Sequence, residues 1–321
     1  LSARALVARV EDEIIDRFDL DLLPIISASS GQKPILDENN AYMDRWGVER
    51  KLPVGGGHYY VSKPPLANVE RISDLDSIPW PEPKEDFSEL TKIAKNLYEN
   101  TDKALVLNLE IGFLHQAQFM RGFDTWLLDL AAEPKLVGAY MDRMIDIWLV
   151  ETENAIKAVN DYAHIATYTD DIAFQDRPMM SRRMLEKLIF PRQKRVIEKI
   201  KESNLKVMYH SCGSLVTLFD DYIEMGVDII NPVQVSAAGM NETAELKNRW
   251  GKDLVFWGGV DTQDVLPHGT VEDVRAEVIK RLDDLSPGGG FMLACVHDIQ
   301  EEVPAENIRA VFETAMDWSK S

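Results

Sequence analysis
Short runs of consecutive apolar residues alternate along this chain with longer stretches whose apolar positions recur at helical spacing. The short runs are Asp21–Ile26 (DLLPII), Ala104–Leu109 (ALVLNL), His164–Asp171 (HIATYTDD), Lys206–Cys212 (KVMYHSC), Asp228–Gln234 (DIINPVQ), Leu254–Asp261 (LVFWGGVD) and Phe291–Asp298 (FMLACVHD). Consecutive apolar positions are what a strand buried on both faces requires. Helical patterns fall between most of these runs, over Asp124–Val150, Ser181–Ser203, Leu215–Met225, Thr270–Asp284 and Pro304–Trp318. Strand followed by helix, repeated, predicts a parallel sheet covered by helices. The expected fold class is α/β, a (β/α)8 TIM-type barrel forming a single domain over residues 1–321. The seven runs fall one short of the eight strands of a closed barrel. The first strand is therefore expected upstream of residue 1, where the opening residues already read as a helix. An open doubly wound sheet is the competing architecture, but no glycine-rich dinucleotide fingerprint follows an early strand. Residues Asn40–Asn68 break the alternation with Gly55-Gly56-Gly57 and Pro64-Pro65 around a short strand-like HYYV. This segment reads as a hairpin or lid near the barrel mouth, and Ile78–Pro83 (IPWPEP) as a rigid linker into the next helix.

Composition adds exclusions. The 321 residues are 45% hydrophobic, enough for a large core. Asp and Glu outnumber Lys and Arg by 54 to 35, a net charge of -19, with no basic stripe to offset it. Such a chain repels phosphate backbones, so nucleic acid is not an expected partner, and the acidity reads as a solubility device. No apolar run reaches the ~20 residues that span a bilayer, and no signal segment opens the chain. No membrane association and a cytoplasmic location are the expectations. The only two cysteines, Cys212 and Cys295, rule out a disulfide framework as the organising device.

Candidate chemistry lies at the strand ends, where barrels of this type carry their active sites. Four runs close on polar residues: Asp170-Asp171, His210-Ser211-Cys212-Gly213, Gly258-Gly259-Val260-Asp261 and Cys295-Val296-His297-Asp298. His210 and Cys212 are two apart on a strand and point the same way, and Cys295 and His297 repeat the pair in reverse order. Thiolate and imidazole are preferred zinc ligands. Four such ligands would close a structural site, whereas three would leave a position open for substrate. The same spacing also fits small buried cysteines and hydrogen-bonded histidines. Of the adjacent carboxylates Asp170 and Asp171, one could orient a histidine or bind substrate, with the other turned into the wall; a helix cap is the alternative. Asp261, behind two glycines that let a ligand approach the backbone, and Gln234, closing its run, are candidate substrate contacts. His58, His115 and His268 carry no assigned role.

Three stretches together resemble a known family. YHSCGSLVTLFDDYIEMGVDIINPVQ, FWGGVDTQDVLPHGTVEDV and PGGGFMLACVHDIQEEVPAENI are similar to the uroporphyrinogen decarboxylase superfamily, and within it to the branch of corrinoid-dependent methyltransferases. The likeness is densest over Asp170–Trp318 and loosest before Trp80. It implies a (β/α)8 barrel and a zinc site built from a His-x-Cys pair and a later cysteine. The pair carries over to His210 and Cys212. The later position falls on His297, with Cys295 two residues earlier, so the third ligand stays open between them. In the decarboxylases a Gly-His pair occupies this place, again matching His297. The Arg-rich substrate motif of the decarboxylases is not seen, and those enzymes lack the His-x-Cys pair.

The resemblance implies a zinc-dependent methyltransferase that moves a methyl group between a small substrate and a corrinoid protein. The substrate could be a methoxylated aromatic, a methylamine, methanol or a thiol. The cobalamin is expected on that partner, because no cobalamin-binding module is visible here. Asp170, Asp171 and His297 are then the candidates for orientation or proton transfer. The alternatives are a metal-free decarboxylase, with His297 and a carboxylate handling protons, and a non-catalytic relative that binds only a ligand or partner. A homodimer is compatible with each.

Overall fold
In the computed structural model, residues 12–26, 34–56, 58–109 and 111–320 are described. The helical reading of the first residues and the role given to Gly57 lie outside them. The described chain starts with α1 (Asp12–Phe18) and β1 (Leu22–Ile25), then three short strands, β2 (Ala41–Met43), β3 (Glu49–Lys51) and β4 (Tyr60–Lys63). After α2 (Ser88–Asn100) and β5 (Ala104–Asn108) come three helices in succession, α3 (Phe113–Arg121), α4 (Phe123–Ala132) and α5 (Pro134–Val159). From β6 (Ile165–Thr169) onward strand and helix alternate: α6 (Arg182–Met184), α7 (Phe190–Lys201), β7 (Lys206–His210), α8 (Phe219–Met225), β8 (Ile229–Val233), α9 (Thr243–Trp250) and β9 (Val255–Val260). The series closes with α10 (Val265–His268), α11 (Val271–Leu285), β10 (Phe291–Cys295) and α12 (Ala305–Trp318). Each of the seven apolar runs forms one of the strands β1 and β5–β10, so the mainly parallel α/β, TIM-like class read from the pattern is the one observed. Among the described residues no helix is long and apolar enough to cross a membrane.

The chain divides into two compact units. Of the described residues, the first comprises those within 22–164 and 182–205. In it β1 pairs in parallel with β5, Leu22 opposite Ala104, while β2, β3 and β4 form a separate antiparallel sheet. The Asn40–Asn68 segment is thus a three-stranded meander. Arg121, at the end of α3, ties this unit together: it pairs with Asp129 at 2.7 Å and donates to the carbonyls of Val69 (2.7 Å) and Leu66. The single helix expected over Asp124–Val150 is instead two. Pro134 has no N–H for an interior helical bond, so α4 stops and α5 begins with this proline in its first turn. Likewise Pro191 sits at the start of α7, directly after one π turn, Leu185–Ile189, in the stretch read as one helix.

The second unit comprises residues 12–21, 165–181 and 206–320. Its five strands are parallel, in the order β6-β7-β8-β9-β10. Apolar residues on consecutive positions face both ways, and one set packs under α10, α11 and α12 in a cluster of Val260, Leu266, Val274, Val278, Leu282, Val303, Ala310 and Val311. Burial of aliphatic side chains at about 25 cal/mol per Å² is the main force holding these helices to the sheet. Local signals set the helix ends. Thr270 Oγ1 accepts from the Asp273 amide while Asp273 Oδ2 accepts from the Thr270 amide, a capping box that starts α11. Gly226, at φ 100°, takes the left-handed position that ends α8.

Candidate metal centre
The site grows out of strand register. In the parallel pair β6/β7, Thr169 lies opposite His210, and the Asp170 amide donates to the His210 carbonyl at 2.9 Å. The residues just past the two strand ends are therefore neighbours. Alternation puts Asp171 on the face of Thr169 and His210, and Asp170 on the opposite face with Tyr168. Asp171 Oδ1 accepts from the Cys212 amide at 2.7 Å and lies 3.9 Å from His210 Nε2. His210 Nε2 lies 3.8 Å from Cys212 Sγ. One donor atom from each of the three residues thus falls within 4.8 Å of the others, and all three side chains are half-buried. Ligands on a tetrahedral zinc, with bonds of about 2.0–2.3 Å, stand roughly 3.3–3.8 Å apart. The cluster has the donor chemistry and nearly the spacing of such a centre: one nitrogen, one sulfur and one oxygen.

Neighbouring elements orient these ligands. Asn231 of β8 lies opposite His210, and its Oδ1 is 2.6 Å from His210 Nδ1. With Nδ1–H donating there, the Nε2 lone pair is turned toward Cys212 and Asp171. Burial, and then the negative charges of Asp171 and Asp298, push the Cys212 thiol up to about 12. By itself this thiol stays protonated at neutral pH, and a divalent cation reverses that balance. The turn beyond it is rigid. Gly213 sits at φ +95°, where a Cβ would come within 2.6 Å of the Phe174 carbonyl, so only glycine fits. Its amide donates to Gln234 Oε1 at 2.7 Å, the Ser214 amide to the Phe174 carbonyl at 2.9 Å, and the Ile172 amide to Ser211 Oγ at 3.1 Å.

The other expected site residues lie elsewhere. Asp170 is fully buried on the opposite face and accepts from the Tyr168 hydroxyl at 2.6 Å. Cys295 ends β10 and packs against the apolar cluster under α10–α12; burial, then the charge of Glu277, pushes its thiol up to about 12. His297, two residues past that strand end, is exposed. Neither joins the three-residue group among the described residues. Gln234 is buried and holds the Gly213 turn, while its amide nitrogen donates to Gln175 Oε1 at 3.2 Å. Asp261 is buried and caps its own turn, Oδ1 accepting from the Gln263 amide at 2.8 Å. Two contributors were not singled out from sequence. Asn231 is the one polar side chain inside an apolar strand (IINPV), which is its only sequence signal. Asp298 is visible merely as a polar residue past a strand end.

Asp171, His210 and Cys212 thus gather at strand ends of a mainly parallel α/β scaffold, where enzymes of this fold class carry their active sites. The model of the uroporphyrinogen decarboxylase (URO-D) family matches residues 42–318, and the chain belongs to that family. It is similar to a methylcobamide:CoM methyltransferase, MtbA, of Methanosarcina mazei, 25% identical over 255 residues, which is 78% of this chain and 70% of that protein. It is also similar to a uroporphyrinogen decarboxylase of an Anaeromyxobacter strain, 23% identical over 98% of this chain and 86% of that protein. Among solved structures, a methyltransferase from Methanosarcina mazei superposes with a TM-score of 0.64 at 14% identity, covering 99% of this chain and 94% of the other, which shows the shared fold. The resemblance read from the motifs stands, including its methyltransferase branch, and the likeness puts the chain among the enzymes of this family.

Proposed function
We propose that this protein is a zinc-dependent methyltransferase that moves a methyl group between a small substrate and the cobalamin of a separate corrinoid protein. The observation that carries the reading is the convergence of His210 Nε2, Cys212 Sγ and Asp171 Oδ1 at the ends of β6 and β7. The likeness to a methylcobamide:CoM methyltransferase supports the reaction class. Three protein ligands leave one position for substrate, the arrangement of catalytic rather than structural zinc. A zinc ion held there would supply Lewis acidity and favour the anionic form of a substrate oxygen or thiol.

The chain's own residues prepare that position. Asn231 holds the His210 ring so that Nε2 faces the centre. The Cys212 amide fixes the Asp171 carboxylate, and the Gly213 turn keeps Cys212 at the mouth. In this reading Asp171 is the third ligand, and His297, on an exposed turn, is free to meet substrate or partner. The competing reading, a metal-free decarboxylase, draws on the decarboxylase likeness over 98% of the chain. The test is methyl transfer from methylated substrates to a reduced, methyl-free corrinoid protein, or from a methylated corrinoid protein to thiols. Chelator-treated protein should be inactive and regain activity with one equivalent of zinc. Decarboxylation of a porphyrinogen that survives chelation would instead establish the competing reading.

A further inference from the structure
Behind the candidate centre, on the helix-facing side of the same strand ends, lies a buried group that the metal reading does not use. Tyr168 and Tyr209 are register partners on β6 and β7, and Tyr222 comes from α8. All three, with Asp170, are fully buried. The Tyr209 and Tyr222 rings stack at 4.3 Å, and those of Tyr168 and Tyr209 lie 5.3 Å apart. Their hydroxyls form a directed chain. Tyr222 donates to the Tyr209 hydroxyl at 3.0 Å, and Tyr209 donates to the Asp170 carbonyl at 2.7 Å. Tyr168 donates to the Asp170 carboxylate at 2.6 Å. Hydroxyls in series polarise one another, so the inner bond is strengthened by the outer one.

The end of this chain is informative. The Asp170 carbonyl belongs to the peptide unit whose nitrogen is that of Asp171. The other side of Asp170, its amide, is bonded to the carbonyl of His210. One residue on the helix side therefore fixes the backbone from which two candidate ligands project on the other side. We propose that Tyr209, supported by Tyr222, is a positioning residue for the metal centre, acting through the Asp170–Asp171 peptide on Asp171 and His210. The inference rests on the metal-centre reading above. Loss of the Tyr209 hydroxyl leaves the Asp170 carbonyl without this donor, and the peptide can rotate. Asp171 then leaves its bond to the Cys212 amide, and the spacing of the ligand atoms widens. Disturbing such outer contacts typically weakens metal affinity by 10- to 100-fold.

The experiment compares wild type with Tyr209→Phe, Tyr222→Phe and Tyr140→Phe, the last removing a fully buried hydroxyl in the other unit. Two quantities are measured: zinc affinity by competition with a chromophoric chelator, and hydrogen exchange of the Cys212 amide in zinc-free protein. Tyr209→Phe should weaken zinc binding about tenfold and speed Cys212 exchange by a similar factor. Tyr222→Phe should shift both in the same direction by a few-fold, and Tyr140→Phe should shift neither. A Tyr209→Phe protein that melts earlier but keeps wild-type zinc affinity and Cys212 exchange would overturn the proposal, because a merely structural role predicts that. If Tyr209→Phe does not fold, Tyr222→Phe decides by the same criteria. If wild type takes up no zinc, the zinc reading fails, while Cys212 exchange still decides whether Tyr209 positions Asp171.

Discussion

The ends of β7 and β10 carry the same pair of residue types two positions apart, yet the structure uses them differently. At β7, His210 and Cys212 meet Asp171 from the end of β6 and Asn231 from β8. At β10, Cys295 is packed into the apolar cluster under α10–α12 and His297 lies exposed beyond the strand. Among the described residues of the second unit, β7 is flanked by strands on both sides, whereas β10 is paired with β9 alone. Spacing within a strand says that two side chains share a face. It does not say which face, nor what the neighbouring strands deliver to it. A metal centre needs donors from several elements, and among the described residues the group that could hold an ion gathers at the β7 end.

The largest expected effect separates the two histidines. His210→Ala should weaken zinc binding by at least two orders of magnitude, because a three-ligand site loses one ligand and its orientation. His297→Ala should leave zinc affinity within about twofold, both read by chelator competition. A large loss in His297→Ala would mean that the β10 end closes over the centre in solution. Next in size is Asn231→Leu. It removes the partner of His210 Nδ1 and should cost about 10- to 100-fold in zinc affinity, with Asn231→Asp restoring most of it. Cys295→Ala should act on stability instead, lowering it by about 1 kcal/mol in urea unfolding while zinc content stays unchanged.

The smallest effect concerns pH. Both thiols are pushed up to about 12 in the metal-free protein, above the ordinary thiol value. The folded state holds these protons more tightly than the unfolded chain does. The contribution is therefore fully present below about pH 9 and is lost as pH rises toward 12. The urea midpoint of zinc-free protein should fall over that range, and fall less in Cys212→Ala or Cys295→Ala. Zinc affinity should move the opposite way and increase with pH, because binding requires the Cys212 thiolate.

The contrast also explains what the sequence could convey. Consecutive apolar positions located all seven parallel strands, with ends displaced by no more than a few residues, because buried strands demand such runs whatever their neighbours. Helix boundaries were less legible where prolines intervene: Pro134 divides one expected helix, and Pro191 follows a π turn. His210 and Cys212 could be paired because they stand two residues apart at the end of one strand. Asp171 stood out as a strand-end carboxylate, but its separation from Asp170 depends on which face each residue takes. Asn231 could not be assigned, since its partner is set by the β7/β8 register. The burial of Cys295 likewise depends on α11 and α12, which reach it through the fold rather than through neighbouring sequence.

In the proposed function, the β7 end and not the β10 end holds a zinc ion. Elemental analysis of zinc in purified wild type, Cys212→Ala and Cys295→Ala, each washed with a weak chelator, tests it most directly. Wild type and Cys295→Ala should hold about one zinc per chain, and Cys212→Ala none. A wild-type protein that folds but holds no zinc, or zinc lost on replacing Cys295 and retained on replacing Cys212, would contradict it.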